Sequence, residues 1–255
     1  MAHFNVKMIS RKLVRSVELT VIIPSTTIPE ALGVTGEKAT HVIEEKYPVI
    51  YLLHGLGNSA TEWTSYSNVE VFAEERKIAV VMPSGENKWY RTEDKGDDFF
   101  GFISEELPEF VENMFPVSNK VSDRYIAGLS MGGYGALIHG LTNPEKFAAI
   151  GAFSAAVETE DATSNLKGSE YDPYALAEKC KGKLLPPIFL ACGEKDMLWK
   201  NNIQFKDHLE KCGLPVTFVK KEGYAHEWRF WNLIVEEFMD WIPRTDKYRN
   251  CKRSV

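Results

Sequence analysis

The stretch that decides the fold reads Gly128-Leu129-Ser130-Met131-Gly132-Gly133-Tyr134-Gly135. It contains the pattern G-x-S-x-G, which is typical of a serine on a sharp turn between a strand and a helix. Residues 121–127 before it have the aromatic and β-branched content of a buried strand, and residues 134–141 after it suit a closely packed helix. The two glycines of the pattern are needed because a Cβ at either position would clash with the neighbouring strand or helix. The pattern therefore predicts Ser130 as a nucleophile.

The motif alone is weak evidence, because glycine and serine are common residues. With each at about 7% of residues, a bare G-x-S-x-G occurs by chance in roughly one chain in ten of this length. A glycine-rich turn without any catalytic role is the alternative. The interpretation of Ser130 therefore depends on finding a base and a carboxylate elsewhere in the chain.

Two later loops supply an acid and a histidine, in the order serine, acid, histidine. Asp196 follows a predicted strand at 187–192, and His226 follows another at 215–220. Because open α/β sheets build their sites at the carboxyl ends of parallel strands, we expect both residues to lie close to Ser130.

Other residues remain candidates for the acid and the base. Asp161 and Asp172 lie in an irregular region and are alternative acids. Asp196 and His226 could also be ordinary loop residues, since aspartate is common in turns. The remaining histidines fall in predicted helices, in the N-terminal segment or in a polar connection, and they are His139, His208, His3 and His41.

A glycine-rich loop follows the continuous apolar run 49–53, which is typical of a central parallel strand. Such a loop supplies a second N–H for an oxyanion hole, and we assign the two donors to the backbone N–H groups of Leu56 and Met131. His54 is interpreted as bracing this loop, with a catalytic base as the alternative. Nucleotide binding is disfavoured, because Ala60 replaces the last glycine of a G-x-G-x-x-G pattern.

Three aromatic residues are candidates for substrate binding. Trp89 and Tyr90 follow a loop at the end of a predicted strand, and Trp228 comes shortly after His226. Aromatic side chains provide apolar walls and polar tips for an ester. Trp228 also begins the apolar stripe of the last predicted helix, so a core position is the alternative for this residue.

The alternation of strands and helices predicts an α/β fold in one domain, 1–255, with a mostly parallel sheet of about eight strands flanked by helices. We expect an antiparallel edge strand within 11–24. Parallel strands are predicted near 47–53, 78–82, 122–128, 147–153, 187–192 and 215–220.

Two segments depart from this regular alternation. The apolar stripe from Phe99 to Met114 contains Pro108, so that helix either kinks or begins near Ser104. The segment 158–187 is too long for an ordinary connection between two strands. It is predicted as a short lid-like insertion, with a surface excursion as the alternative.

Composition limits the classes of partner. The chain has 255 residues, 44% hydrophobic, and a net charge of −6, without the basic patch that nucleic-acid binding requires. Residues 1–8 lack the apolar region of a signal peptide, and no stretch is long enough to span a membrane. The four cysteines show no C-x-x-C spacing, which favours reduced thiols in a cytoplasmic protein. We predict no metal and no cofactor.

Several motifs together resemble the esterase D branch of the α/β-hydrolases, and especially bacterial tributyrin esterases. They lie between about residues 47 and 242, and they are Tyr51-Leu52-Leu53-His54-Gly55, Trp89-Tyr90, Glu105-Glu106-Leu107, Gly128-Leu129-Ser130-Met131-Gly132-Gly133, Gly193-Glu194-Lys195-Asp196 and His226-Glu227-Trp228-Arg229-Phe230-Trp231. That branch also includes S-formylglutathione hydrolases, acetyl-carbohydrate esterases and feruloyl esterases. The resemblance implies the α/β-hydrolase fold and the reaction better than it implies the substrate.

We therefore predict a cytoplasmic serine carboxylesterase that acts on short-chain acyl esters through Ser130, His226 and Asp196. The expected partner is a small-molecule ester, with no nucleic acid and no membrane, and a homo-oligomer is left open. The alternative substrates are an S-acyl glutathione thioester or an acylated plant carbohydrate. A non-catalytic binding module on the same scaffold is the remote alternative.

Overall fold

The computed structural model of the chain describes residues 1–35, 39–92, 96–158 and 166–251. Within these residues the centre of the fold is a sheet of eight strands. In chain order the strands are β1 (Ala2–Ser10), β2 (Arg15–Ile23), β3 (Val49–Leu53), β4 (Ala79–Pro83), β5 (Arg124–Leu129), β6 (Ala149–Phe153), β7 (Ile188–Gly193) and β8 (Val216–Lys221). The predicted α/β fold is confirmed.

The strand order across the sheet is β1-β2-β4-β3-β5-β6-β7-β8. β1 pairs antiparallel with β2, β2 pairs antiparallel with β4, and the other neighbours pair parallel. The six parallel strands begin and end close to the predicted positions. The antiparallel strand predicted within 11–24 is confirmed as β2, but its predicted place at the edge is wrong, because β1 forms the edge and β2 lies inside it. Most side chains of β1 are exposed or half-buried, but Phe4, Val6 and Met8 alternate with polar residues, a strand pattern that sequence reasoning missed.

Helices cover both faces of the sheet. They are α1 (Ile28–Ala31), α2 (Glu62–Tyr66), α3 (Val69–Glu75), α4 (Phe99–Gly101), α5 (Leu107–Met114), α6 (Met131–Thr142), α7 (Pro173–Lys179), α8 (Trp199–Lys211) and α9 (Trp228–Trp241). Helices α4 to α8 pack on one face, and α2, α3 and α9 pack on the other. None of the helices in the described ranges is long and apolar enough to cross a membrane.

The central strand β3 shows why the sheet needs a continuous apolar run. Val49, Tyr51 and Leu53 belong to the core on the α6 face, whereas Ile50 and Leu52 belong to the core on the α9 face. Because successive side chains of a strand point to opposite faces, a strand covered by helices on both sides must be apolar at every position.

The apolar stripe of 99–114 forms one continuous helical path. Helix α4 passes into a π-helical turn, Phe102–Glu106, and then into α5. The Leu107 N–H donates to the carbonyl of Phe102, five residues earlier, and Pro108 lies in the first turn of α5. A proline has no N–H with which to continue regular helical bonding, and the wide turn accommodates it. The helical path therefore starts at Phe99 and not near Ser104, which was one alternative.

The insertion predicted over 158–187 is mainly part of the helix layer. Residues 159–165 lie outside the described residues. Beyond them, Asp172 caps α7, and α7 buries Leu176 and Ala177 in the same core as α6. The described part of the insertion therefore includes a helix whose apolar residues belong to the core, and its role as a lid stays a prediction.

We expect Gly132→Ala to lower the free energy of unfolding by about 1–3 kcal/mol, the usual cost of overpacking. A Cβ at Gly132 would lie 2.4 Å from the carbonyl oxygen of Leu53 and 2.7 Å from that of His54. Both contacts are to backbone, so neither atom can rotate away. Urea unfolding followed by circular dichroism measures the loss.

Gly133→Ala is the matched control in the next position of the same helix. Its Cβ would meet Ala155 at 3.1 Å, a tight contact but a less severe one. A smaller loss of stability is expected there. Equal losses for the two variants would contradict the argument from backbone contact at Gly132.

Candidate active site

Ser130 stands between β5 and α6 in a strained backbone conformation. Its φ is 52° and its ψ is −115°, a positive-φ region that residues other than glycine rarely adopt. Its N–H donates to the Phe153 carbonyl at 2.8 Å, and the Ala156 N–H donates to the Ser130 carbonyl at 3.1 Å. The end of β6 and the residues after it therefore hold the turn, and the serine side chain stays half-buried.

Asp196 and His226 lie at the same edge of the sheet as Ser130. They follow β7 and β8, and β5 to β8 are consecutive neighbours in the sheet. His226 Nδ1 lies 3.1 Å from Asp196 Oδ1 and 3.0 Å from Asp196 Oδ2. The hydrogen bonds of the described residues do not include one from Ser130 Oγ to His226 Nε2. Such contacts are often long without substrate and tighten in the complex.

The Asp196 carboxylate is buried but charged. Its side chain is 0% exposed, whereas that of His226 is 18% exposed. Burial alone would raise the pKa of Asp196, but hydrogen bonds from His226, Ser154 and the Leu198 N–H hold that pKa below its ordinary value of 3.8. An ionised carboxylate at neutral pH can accept the Nδ1–H of His226 and fix the orientation of the imidazole.

Ser154 and Trp231 support this pair, and sequence reasoning missed both roles. The Trp231 indole N–H donates to Ser154 Oγ at 3.1 Å, and the Ser154 side chain helps to lower the pKa of Asp196. The Trp231 ring also packs edge-on against His226, with 4.9 Å between ring centroids. One indole therefore positions both the acid and the histidine. The available signal was that Ser154 directly follows a buried strand at this edge of the sheet.

The alternative acid and base candidates have other roles. Asp172 caps α7 by accepting the Tyr174 N–H at 2.9 Å, and Asp161 lies outside the described residues. His139 is fully buried and stacks on Phe100 at 4.3 Å. Burial lowers the pKa of His139 to about 4, so its imidazole is neutral at physiological pH.

A buried histidine braces the loop that carries Leu56. His54 donates from Nδ1 to the Gly55 carbonyl at 2.8 Å, and its Nε2 accepts the Gly85 N–H at 2.7 Å. Burial also lowers the pKa of His54. The imidazole is thus neutral with both nitrogens engaged, which confirms its interpretation as a structural residue. The Met131 N–H lies at the first position of α6, where helix N–H groups have no acceptor within the helix.

The loop at 85–90 also holds the loop that carries Leu56. Asn87 Oδ1 accepts the Gly57 N–H at 2.7 Å, and the Tyr90 hydroxyl donates to the His54 carbonyl at 2.9 Å. Tyr90 is 0% exposed. This corrects the prediction that Tyr90 lines the substrate pocket, because both its ring and its hydroxyl are enclosed beneath the loop.

The other two predicted pocket residues are half-buried aromatics. Trp89 packs edge-on against Tyr134 at 5.6 Å. Trp228 stacks on the exposed Tyr66 at 5.4 Å and meets Trp231 edge-on at 5.3 Å. Trp228 therefore connects a surface aromatic to the ring beside the candidate histidine, and substrate binding by Trp89 and Trp228 stays a prediction.

Known proteins are similar to this chain in both sequence and fold. The family described as "Putative esterase" matches residues 40–243. An acetyl esterase from Caldicellulosiruptor saccharolyticus is 31% identical over 229 residues, which cover 80% of this chain and 86% of that protein. An S-formylglutathione hydrolase structure from Staphylococcus aureus is 29% identical with a TM-score of 0.80, and the match covers 94% of this chain and 98% of that one. The fluorophosphonate-binding serine hydrolase F of the same species is also 29% identical, with a TM-score of 0.81 and coverage of 94% and 97%.

The chain belongs to this esterase family. The resemblance to esterase-D-like α/β-hydrolases and the predicted serine ester hydrolase function are confirmed by the family match and by these relatives.

Ser154→Ala tests the ionisation of Asp196, because it removes one of the polar side chains that lower the Asp196 pKa. The folded-state pKa should rise toward its ordinary value. A carboxyl group whose pKa is lower in the folded than in the unfolded protein stabilises the fold at pH values above its unfolded-state pKa. This contribution is lost as the pH falls through its folded-state pKa. We expect the variant to lose about 1.5–3 kcal/mol near neutral pH, the scale of a hydrogen bond to a charged group, and less at acidic pH.

Urea unfolding at several pH values between neutral and acidic conditions measures this difference. Ser104→Ala is the matched control, since Ser104 Oγ donates to the uncharged Phe100 carbonyl at 2.7 Å. Its stability loss should not depend on pH. A loss for Ser154→Ala that is equally independent of pH would show that Ser154 does not stabilise the ionised carboxylate.

Proposed function

We propose that the chain is a carboxylesterase with the catalytic triad Ser130, His226 and Asp196. The observation that carries this proposal is the contact of His226 Nδ1 with the buried Asp196 carboxylate, at 3.0 and 3.1 Å, on the sheet edge that also holds the strained Ser130. A serine hydroxyl is a weak nucleophile until an oriented base takes its proton. These three residues supply the nucleophile, the base and the orienting acid.

The tautomer of His226 decides the direction of proton transfer. Because Asp196 accepts the Nδ1–H, Nε2 is the nitrogen that takes the proton of Ser130 as Oγ attacks the ester carbonyl. Asp196 stabilises the imidazolium that results. The tetrahedral intermediate then expels the alcohol, which receives the proton from Nε2. Water attacks the acyl-enzyme with His226 again acting as base, and Ser130 regains its proton.

The negative charge that develops on the carbonyl oxygen needs donors fixed in advance. We assign this role to the backbone N–H groups of Met131 and Leu56. The Met131 N–H lies at the N-terminus of α6, where the helix dipole also favours an anion. His54 and Tyr90 hold the loop that carries Leu56, so little reorganisation is needed during the reaction.

The proposed substrate is an ester with a short acyl group. The relative from Caldicellulosiruptor saccharolyticus is an acetyl esterase, which supports a short acyl chain. The Staphylococcus aureus S-formylglutathione hydrolase favours a thioester with an equally small acyl group as the second candidate. The free cysteines Cys180, Cys192, Cys212 and Cys251 support the proposed cytoplasmic location, where thiols stay reduced.

Ser130→Ala should abolish ester hydrolysis and labelling by a fluorophosphonate probe, with little change in the melting temperature. Alanine removes the nucleophilic oxygen and keeps the same backbone conformation. Hydrolysis of p-nitrophenyl acetate and in-gel probe fluorescence measure both effects. Ser122→Ala, at an exposed serine, should behave like the wild type. Probe labelling of the Ser130→Ala protein would contradict the assignment.

Asp196→Asn should lower kcat by about 10⁴, the scale of the same change in a serine protease triad, because asparagine favours the wrong histidine tautomer. Steady-state kinetics on p-nitrophenyl acetate measure the effect. Asp172→Asn is the control for the alternative acid and should keep kcat within a few-fold of wild type. An Asp196→Asn variant within tenfold of wild type would exclude Asp196 as the acid.

Trp89→Ala should shift the preference toward longer acyl chains, because each methylene accepted by an apolar pocket is worth roughly 1 kcal/mol or somewhat more. A series of p-nitrophenyl esters with increasing acyl length measures kcat/KM for each substrate. Tyr90→Phe is the matched comparison. It should lower kcat without altering the chain-length profile, since its hydroxyl supports the oxyanion loop. Identical profiles for Trp89→Ala and wild type would remove Trp89 from the acyl pocket.

A further inference from the structure

Three metal-ligating side chains meet where α7 packs against α8, on elements that carry none of the triad residues. Glu178 lies on α7, His208 lies on α8, and Cys212 caps the C-terminus of α8. His208 and Cys212 are four residues apart, so they share one side of the helix. The structure places Glu178 Oε1, His208 Nε2 and Cys212 Sγ within 4.8 Å of one another.

The three ligand atoms form a nearly equilateral triangle. The distances are 3.5 Å from His208 Nε2 to Glu178 Oε1, 3.6 Å from Cys212 Sγ to His208 Nε2, and 3.5 Å from Cys212 Sγ to Glu178 Oε1. In tetrahedral zinc sites the bonds to sulfur are about 2.3 Å and those to nitrogen and oxygen about 2.0–2.2 Å, which puts the ligand atoms about 3.4–3.6 Å apart. The distances between the three ligand atoms therefore already match those between the ligands of a tetrahedral zinc site.

We propose that Glu178, His208 and Cys212 bind a zinc ion, with water as the fourth ligand. Imidazole, thiolate and carboxylate are the donor types that zinc prefers. The side chains of His208 and Glu178 are 23% and 48% exposed, so solvent reaches the fourth position. The ion links α7 to α8 and thereby fixes the described part of the 158–187 insertion to the rest of the helix layer.

The surrounding contacts leave the required atoms available. Lys181 pairs with Oε2 of Glu178, which leaves Oε1 for the ion. His208 Nε2 lies 3.2 Å from the Tyr174 carbonyl, so without metal this nitrogen has an acceptor for its proton. On binding, the imidazole keeps its single N–H on Nδ1, and Nε2 donates its lone pair to zinc.

The Cys212 thiol must lose its proton for this site to form. Burial raises the pKa of Cys212, and the Glu178 carboxylate raises it further. A bound zinc ion reverses this preference, because a coordinating thiol is deprotonated outright and the proton is released to solvent. Occupancy therefore increases with pH.

Zinc and cobalt binding to the full-length protein test the proposal, in a Cys251→Ser background that removes the half-buried thiol near the C-terminus. Competition with a chromophoric chelator should give one zinc ion per chain. Cobalt should produce the thiolate-to-metal charge-transfer absorption and the visible bands of a tetrahedral site. Zinc should also raise the melting temperature, since it binds the folded state.

Cys212→Ser and His208→Gln should weaken zinc binding by about 100-fold or more, beyond the loss that second-shell changes cause. Glu178→Gln, at a half-exposed position, keeps the test valid if a change at the buried cysteine disturbs folding. Glu210→Gln is the matched control on the same helix and should bind zinc like the parent, since Glu210 pairs with Lys206 instead.

Three results would overturn the proposal. One is the absence of stoichiometric zinc binding by the parent protein. Another is zinc affinity that Cys212→Ser and Glu178→Gln leave unchanged. The third is a cobalt complex without thiolate charge transfer, which would place the ion elsewhere on the protein.

Discussion

Direct backbone contact between the start of α6 and the end of β3 is the constraint on which the site depends. A Cβ at Gly128 would lie 2.5 Å from the backbone of Gly132, and a Cβ at Gly132 would lie 2.4 Å from that of Leu53. Three segments of main chain are therefore stacked without side chains between them. The turn that carries Ser130 and the loop that carries Leu56 begin from these segments, so their contact fixes Ser130 relative to the proposed oxyanion donors Leu56 and Met131.

The loop at 85–90 shows what it takes to keep this arrangement rigid. Glu86, Asn87, Trp89 and Tyr90 all have positive φ, between 46° and 58°. Such conformations cost of order 1–3 kcal/mol each outside glycine, so the surroundings must enforce them. The Tyr90 ring fits against Gly85 and Gly135, where a Cβ would approach it to 2.5 and 2.6 Å. The strain is concentrated in the segment that holds the oxyanion loop in place.

Structural features that depend on short-range sequence patterns could be predicted from the sequence. The parallel strands follow from apolar runs, the turn at Ser130 follows from its glycines, and the positions of Asp196 and His226 follow from the strands before them. The strand β1 was missed although Phe4, Val6 and Met8 alternate with polar residues in it, and pairing with β2 places it at the edge of the sheet. This alternation was a local signal that could have found the strand.

Contacts between distant segments could not be predicted. Ser154 owes its role to Trp231, 77 residues later in the chain, and a single serine after a strand does not indicate such a partner. Tyr90 was predicted in the substrate pocket because aromatic residues near the end of a strand often bind ligands. In the structure its ring packs against Gly85 and Gly135 and is fully buried. The π-helical turn before Pro108 depends likewise on packing that a helical pattern does not reveal.

The position of α9 has a consequence for synthesis on the ribosome. Phe238 of this helix covers Phe153 of β6 and Phe189 of β7, with ring centroids 5.6 and 5.7 Å apart. Because α9 follows every described strand of the sheet in the sequence, Phe238 cannot cover these rings in a nascent chain until the helix emerges. Exposed apolar surface of this kind makes partly folded chains prone to aggregation. The helix that closes this face also brings Trp231 to Ser154, so the same late-synthesised segment covers the hydrophobic face and completes the surroundings of the candidate acid.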